Sequence, residues 1–297
     1  NDGDENFTTH IITDSLDNVK SVYAVDLDDD SDMDILSASY SDDRIVWYEN
    51  NGNEDFSVHI ISSTVNGAES VYAADVDSDG DMDYLLGNWG TNSKFIASKK
   101  FPMKMYYGDF DDNGQSETIT TTAKNGKYFP LEGLNELGGQ MVSLRKKYNS
   151  YKEFGGKTIE EVLEGFKISK DQIRMVHNLK SGYLKNENGY FKFIPFENSL
   201  QVSPIMALLK FDFDSNGSEE VLVGGNYFGV KPFMGRMDSF SGALIKDENN
   251  VILGHELGLQ MTLKSVRHLN IITIQKQAYL LITYNNEKAE VYQINNN

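Results

Sequence analysis

Short apolar runs alternate with dense polar turns along the whole chain. "SVYAAD", from Ser70, and "YLLGN", from Tyr84, are rich in aliphatic, aromatic and β-branched residues, and the stretch between them is almost all Asp, Gly and Ser. Apolar runs of this length, bounded by Asp/Gly clusters, predict two strands joined by a tight loop. "RIVWYEN", from Arg44, and "DFSVHII", from Asp55, flank the turn "NNGNE" and predict two further strands. The pattern then repeats. "NFTTHIITDSLDNVKSVYAVDLDDDSDMDIL", from Asn6, aligns with "DFSVHIISSTVNGAESVYAADVDSDGDMDYL", from Asp55, so that Phe7 meets Phe56, His10 meets His59 and Asp26 meets Asp75. Further copies of the strand–loop–strand module are "YYGDFDDNGQSETI", from Tyr106, and "LKFDFDSNGSEEVLV", from Leu209. A fifth, "SVRHLNIITIQKQAYLL" from Ser265, keeps the frame and loses the acids.

Four short strands in every ~40–50 residues predict an all-β chain folded as a β-propeller of four-stranded blades. Module cores near Ser21, Val71, Met103, Pro204 and Val266 favour five blades in a single domain over residues 1–297. The C-terminal "VYQINNN" followed by the N-terminal "NDGDENFTTHII" reproduces the internal "WYENNGNEDFSVHII" of Trp47–Ile61. A first strand over Phe7–Ile12 is therefore expected to pair with the last strand and close the ring, which removes exposed edges. An arc cut from a longer array is the alternative. Between Ala123 and Arg174 the spacing turns helical, and Thr158 with Glu161 forms a capping-box pattern. A small helical insertion is expected over about 131–173, within the third blade. It carries a basic island that includes Arg145, Lys146, Lys147 and Lys152, read as a solvated helix face.

The 297 residues carry a net charge of −18. Residues 1–93 alone sum to −20, which leaves about +2 for the rest. An acidic surface excludes nucleic acid as a partner, because phosphate binding needs a basic face. No run reaches the ~20 apolar residues of a helical membrane span. The absence of cysteine rules out disulfides and thiol chemistry. The chain begins "NDGDENFTTH" without a methionine, as expected of a mature form or of an excised piece of a larger, secreted protein.

Like charges packed this closely repel unless a cation sits among them. Numbered from the first acid of each loop, oxygen-bearing side chains recur at positions 1, 3, 5 and 9. They are Asp26, Asp28, Asp30 and Asp34; Asp75, Asp77, Asp79 and Asp83; Asp109, Asp111, Asn113 and Glu117; and Asp212, Asp214, Asn216 and Glu220. Gly80, Gly114 and Gly217 follow position 5, where Ser31 stands in the first loop. Hard oxygen ligands on alternate residues suit Ca²⁺, which accepts six to eight of them in irregular geometry, so three to four calcium ions are expected. An EF-hand needs Glu at position 12 and a following helix; here that position holds Ser37, Leu86, Thr120 and Val223 in predicted strands. In the fifth module the ligand positions become Asn270, Ile272, Ile274 and Ala278, which cannot hold the ion.

The D-x-D-x-D-G-x-x-D loop between two strands resembles the FG-GAP/VCBS repeat of integrin-α-like calcium-binding propellers and many secreted bacterial proteins. Residues 1–90 resemble VCBS repeats through "SVYAADVDSDGDMDYL" and "WYEN". Residues 91–297 look similar to the C-terminal region of secreted FG-GAP-repeat proteins from marine Bacteroidetes through "GDFDDNG" and "VLVGGNYFGVKPF". The resemblance implies a calcium-binding, secreted or cell-surface module for adhesion or carbohydrate binding, with a polysaccharide or a cell-surface protein as its ligand. A secreted polysaccharide lyase or glycoside hydrolase on the same scaffold is the alternative, since a fold of this kind does not specify activity. No G-x-S-x-G, H-E-x-x-H or phosphate-cradling loop is present, and no catalytic residue is assigned. In a propeller the loops after the second strands open opposite the calcium turns. They bring Tyr40, Asn88, Trp89, Asn226, Tyr227, Phe228 and Tyr284 into consideration as a ligand face. Packing of the same aromatics between blades is the competing reading.

Overall fold

A computed structural model describes residues 9–28, 30–39, 41–53, 55–63, 70–76, 79, 81–187, 189–231, 234–247 and 250–294. Its strands are β1 (Val19–Val25), β2 (Asp34–Ser39), β3 (Arg44–Asn50), β4 (Phe56–Ser62), β5 (Ser70–Ala74) and β6 (Asp83–Gly87). There follow β7 (Met103–Gly108), β8 (Glu117–Lys124), β9 (Lys127–Pro130) and β10 (Ile173–Val176). The rest are β11 (Gly182–Glu187), β12 (Tyr190–Pro195), β13 (Ile205–Phe211), β14 (Glu220–Gly225), β15 (Ala243–Asp247), β16 (Asn250–Leu253), β17 (Val266–Ile274), β18 (Gln277–Tyr284) and β19 (Glu290–Gln293). They form antiparallel sheets in the orders β1-β2-β3-β4, β5-β6-β11-β12, β10-β7-β8-β9, β13-β14-β15-β16 and β17-β18-β19. The chain is thus all-β, with four short α-helices among the described residues, α1 (Leu134–Gln140), α2 (Val142–Lys147), α3 (Tyr151–Phe154) and α4 (Ile159–Val162).

Contacts divide the chain into two compact units, residues 1–92 with 180–297, and residues 93–179. The division follows from one pairing. β6 takes its next neighbour not from the residues that follow it but from β11, with Leu86 opposite Gly182 and Tyr84 opposite Leu184. The excursion between second and third strands therefore spans 93–179, and the helices expected over 131–173 are only its middle. The module at Met103 builds the sheet of that second unit, so four of the five expected modules, not five, supply sheets to the first unit. In the second unit α1, α2 and α4 cover the sheet through Leu137, Met141, Leu144, Ile159 and Val162, all buried with Ile119 of β8. The capping box at Thr158 and Glu161 forms as the sequence predicts.

Three buried clusters join the four sheets of the first unit in series. Leu36, Ala38 and Ile45 pack with Val71, Tyr84 and Leu86; Leu85 and Tyr183 pack with Ile205, Val223 and Phe240; Leu222 and Leu244 pack with Val266, Leu280 and Ile282. Each such aliphatic side chain removed from water contributes about 1.5–3 kcal/mol. The first strands β1, β5, β13 and β17 all line one cavity of about 540 Å³. No comparable buried cluster joins the β17 sheet to the β1 sheet among the described residues, and Val22 of β1 is 69% exposed.

The expected closing strand over 7–12 is not formed in its described part. Thr9–Ile12 lie in no strand, Ile11 is exposed, and the β17–β19 sheet has three strands among the described residues. Residues 1–8 fall outside those described. In the acid-free module β17 and β18 meet in a two-residue turn, Gln275–Lys276, with φ of 50° and 68°. Two left-handed residues give the turn twist that a two-residue hairpin needs. Asn270, Ile272, Ile274 and Ala278 accordingly lie in paired strands rather than in a loop.

Close sheet approach is set by missing side chains. A Cβ on Gly87 at the end of β6 would stand 2.4 Å from the carbonyl oxygen of Ile205 on the neighbouring sheet. Gly87→Ala is expected to cost about 1–3 kcal/mol through this backbone clash, lowering the thermal midpoint by several degrees in a melting experiment.

Candidate functional site

Each acidic loop links the first strand of a sheet to the second, and backbone N–H groups shape it before any ion is considered. The position-9 carboxylate accepts the amide of position 2 in all four copies: Asp34 from Leu27 (3.1 Å), Asp83 from Val76 (3.1 Å), Glu117 from Phe110 (2.7 Å) and Glu220 from Phe213 (2.9 Å). Position 1 accepts the amide of position 6 in three: Asp26 from Ser31 (3.0 Å), Asp109 from Gly114 (2.8 Å) and Asp212 from Gly217 (3.0 Å). Position 5 accepts the amide of position 7, as in Asn113 to Gln115 (2.8 Å) and Asn216 to Ser218 (2.7 Å). Position 6 must turn back, and Ser31, Gly114 and Gly217 adopt φ of 76°, 84° and 90°. Of these three position-6 residues only Ser31 bears a Cβ, which the left-handed region disfavours.

The amides pull the side chains to a common point. Carboxylate oxygens of Asp26, Asp28 and Asp30 lie within 4.8 Å of one another, as do those of Asp109, Asp111 and Glu117, and of Asp212, Asp214 and Glu220. Oδ1 of Asp26 and Oδ1 of Asp111 are buried without a hydrogen-bond partner. A buried acceptor left unmatched costs free energy that a cation recovers. The donor set fits a hard divalent ion: carboxylates at three positions and, in the third and fourth loops, the amide oxygens of Asn113 and Asn216 at the fourth. In the second loop Asp75, Asp79 and Asp83 are described, while Asp77 and Gly80 lie outside the described residues.

Position 9 divides the loops into two kinds. Asp34 and Asp83 are wholly buried, and their remaining oxygens accept the amides of Asn50 (2.7 Å) and Asn186 (2.8 Å) from the third strand of the sheet. Both asparagines also donate through Nδ2 to the carbonyl before the acid, Met33 (3.2 Å) and Met82 (3.3 Å). Asp34 is a clamp on its loop and stands outside the group formed by Asp26, Asp28 and Asp30. Glu117 and Glu220, one methylene longer, keep the backbone bond and still reach the acids. The asparagine clamp had a sequence signal: "YENNGNEDF" and "KNENGYF" carry it at the same place.

Electrostatics follow this geometry. Burial, with Asp111 and Asp109 alongside, pushes the Glu117 carboxyl above the usual carboxylate range, and burial with Asp214 does the same to Glu220. Desolvation and Asp30 raise Asp28. Two lysines on third strands meet the acids: Lys246 Nζ lies 2.6 Å from Asp214 and 3.9 Å from Glu220, and Lys185 Nζ lies 3.6 Å from Asp79. The Lys246 hydrogen bond holds Asp214 below its ordinary value. An ammonium there occupies part of the space a metal needs.

The structure splits the expected ligand face. Asn226 is fully buried, its Nδ2 donating to the carbonyls of Phe240 (2.8 Å), Lys264 (3.0 Å) and Met261 (3.2 Å) and its Oδ1 accepting from the Phe240 amide (3.0 Å). Asn88 is buried and accepts the Trp89 amide at 2.7 Å. Tyr284 is buried and donates to Glu290 at 2.7 Å. These three hold loops together instead of facing solvent. Trp89, Tyr227 and Phe228 are half-buried; Trp89 meets Tyr227 edge-on at 5.4 Å, Arg267 lies 5.3 Å over Tyr227, and Arg236 lies 4.4 Å over Phe228. Tyr40 lies outside the described residues. No sequence pattern linked the two arginines to these rings.

A comparison with protein-family models matches residues 26–86 to the FG-GAP-like repeat. The match begins at the first acid of the first loop and ends in β6, so it takes in the first two acidic loops. No curated protein matches the chain.

Two outcomes test the loop geometry. Lys246→Met removes the competing ammonium and is expected to raise calcium affinity several-fold at the fourth loop, measured by calorimetric titration. In chelator, the raised carboxyls of Glu117, Glu220 and Asp28 contribute stability that is present below the ordinary carboxylate range and lost as pH rises through the raised values. The melting temperature of the ion-free protein is therefore expected to climb as pH falls from about 7 towards about 5, and saturating calcium is expected to abolish that climb.

Proposed function

From the premise that the chain is an FG-GAP-repeat protein, we propose that it is a calcium-stabilised β-propeller serving as an extracellular binding or adhesion module for a carbohydrate or protein ligand. The observation that carries the calcium reading is the convergence of three acids, within 4.8 Å, in three loops of the same frame, two of them with a buried oxygen that lacks a partner. The ions hold each loop shut between the first and second strands. Their free energy adds to folding as RT ln(1 + [L]/Kd), and sites of this open kind suit the millimolar calcium outside cells.

Four sheets whose first strands line one cavity support a four-bladed propeller for residues 1–92 with 180–297. The acid-free sheet serves as a blade without an ion. The ligand face is the side away from the calcium turns, with the half-buried Trp89, Tyr227 and Phe228. Aromatic faces of this kind take sugar rings or apolar side chains.

Melting with calcium and with EGTA tests the first part: a midpoint several degrees higher in calcium is expected, and an unchanged midpoint rules out structural calcium. Incubation with neutral and acidic polysaccharides tests the second. Binding without new unsaturated or reducing ends is expected; the appearance of such ends would make the protein a lyase or hydrolase.

A further inference from the structure

We infer that the cavity lined by the four first strands takes a carboxylated sugar, with Arg267 pairing its carboxylate. The inference rests on the carbohydrate reading above and names the ligand class. Three groups of observations carry it, the first being the cavity, its lining and the contacts of Arg267. The cavity, about 540 Å³, falls within the range of small-ligand pockets. On a chain of net charge −18 its lining holds Lys20, Arg267 and His268 and, among the described residues, no carboxylate. The guanidinium of Arg267 has the face of Tyr227 as its contact and no carboxylate partner among the described residues.

The second observation concerns aim. Three of the four first strands are bulged at the same place, between Val19 and Ser21, between Ile205 and Ala207, and between Val266 and His268. The bulged residues are Lys20, Met206 and Arg267, and all three line the cavity. A bulge adds one residue on one strand and redirects its side chain, and such irregularities concentrate at binding sites. Two of the three redirected side chains are cations.

The third is the neighbourhood of Arg267. Trp89 and Tyr227 form an edge-on pair at 5.4 Å, and Arg267 lies 5.3 Å over the Tyr227 ring. A guanidinium fixed on an aromatic face presents its planar fork to a carboxylate in two parallel hydrogen bonds. A carboxylated ring that touches the Tyr227–Trp89 pair as well as Arg267 gains from the aromatics, while a free inorganic anion gains nothing from them. Asn270 and Ser70, also in the lining, supply polar partners for hydroxyls.

Calorimetric titration of the full, calcium-loaded chain tests this with three probes: trigalacturonate, its neutral methyl ester, and inorganic sulfate. Trigalacturonate is expected to bind roughly tenfold or more tightly than either of the others. Its affinity is expected to weaken with added salt. Arg267→Gln is expected to lose about tenfold in affinity for trigalacturonate at an unchanged melting temperature, and Arg267→Lys to recover part of it. Equal affinity for the acid and its ester overturns the inference while leaving a carbohydrate-binding role standing, and it does so without any variant that must fold. Sulfate binding as tight as the sugar acid overturns it in favour of simple anion capture. Failure of both trisaccharides to bind overturns it as well, and the wider polysaccharide panel then decides whether the carbohydrate reading falls with it.

Discussion

Carboxylates crowded into nine-residue loops must be held apart from one another and close to something positive, and backbone N–H groups make the first part of that arrangement. The amide of position 2 on the position-9 acid recurs in all four loops, at 2.7–3.1 Å. It ties the end of the first strand to the start of the second, so strand pairing and loop shape are one structure. Among the oxygens left over, Oδ1 of Asp26 and Oδ1 of Asp111 are buried, and burial together with the neighbouring acids raises the carboxyls of Glu117 and Glu220. A cation would complete them. In the fourth loop Lys246 already supplies a fraction of that charge.

The same crowding limits what else the chain does. Acids concentrated in the turns leave the cavity between the first strands free of carboxylates among the described residues, and the bulged strands turn Lys20 and Arg267 into it. The net charge of −18 is therefore a sum over places of opposite character. Binding chemistry on the two sides of the sheets need not resemble each other: oxygens for a metal in the turns, a cation and aromatic rings at the cavity.

Local features were the most legible in the sequence. Alternation of apolar runs with Asp/Gly turns located the strands and loops, and ligand spacing grouped Asp109, Asp111 and Glu117 before any coordinates did. Order along the chain misled at one point. A helical insertion within the third blade assigns the strands that follow it to that blade, whereas β6 pairs with β11 at Gly182. The tie that would have revealed this is long-range: Asn186 clamps Asp83 as Asn50 clamps Asp34, across 103 residues instead of 16. Burial of Asn88, Asn226 and Tyr284 was likewise hidden, since a loop asparagine that rivets three carbonyls has the same letter as one that greets a ligand. The pairing of Arg267 with Tyr227 leaves no mark in spacing, because it joins residues 40 positions apart.

Direct titration of calcium into chelator-stripped protein is the measurement closest to the central claim. Saturable binding of about three to four ions per chain is expected, at most one for each of the four acidic loops. Replacing Glu117 and Glu220 together by Gln is expected to weaken the sites of the third and fourth loops and leave the others. Absence of saturable binding at millimolar calcium would contradict the account, since the acids would then be held by backbone amides and lysines alone.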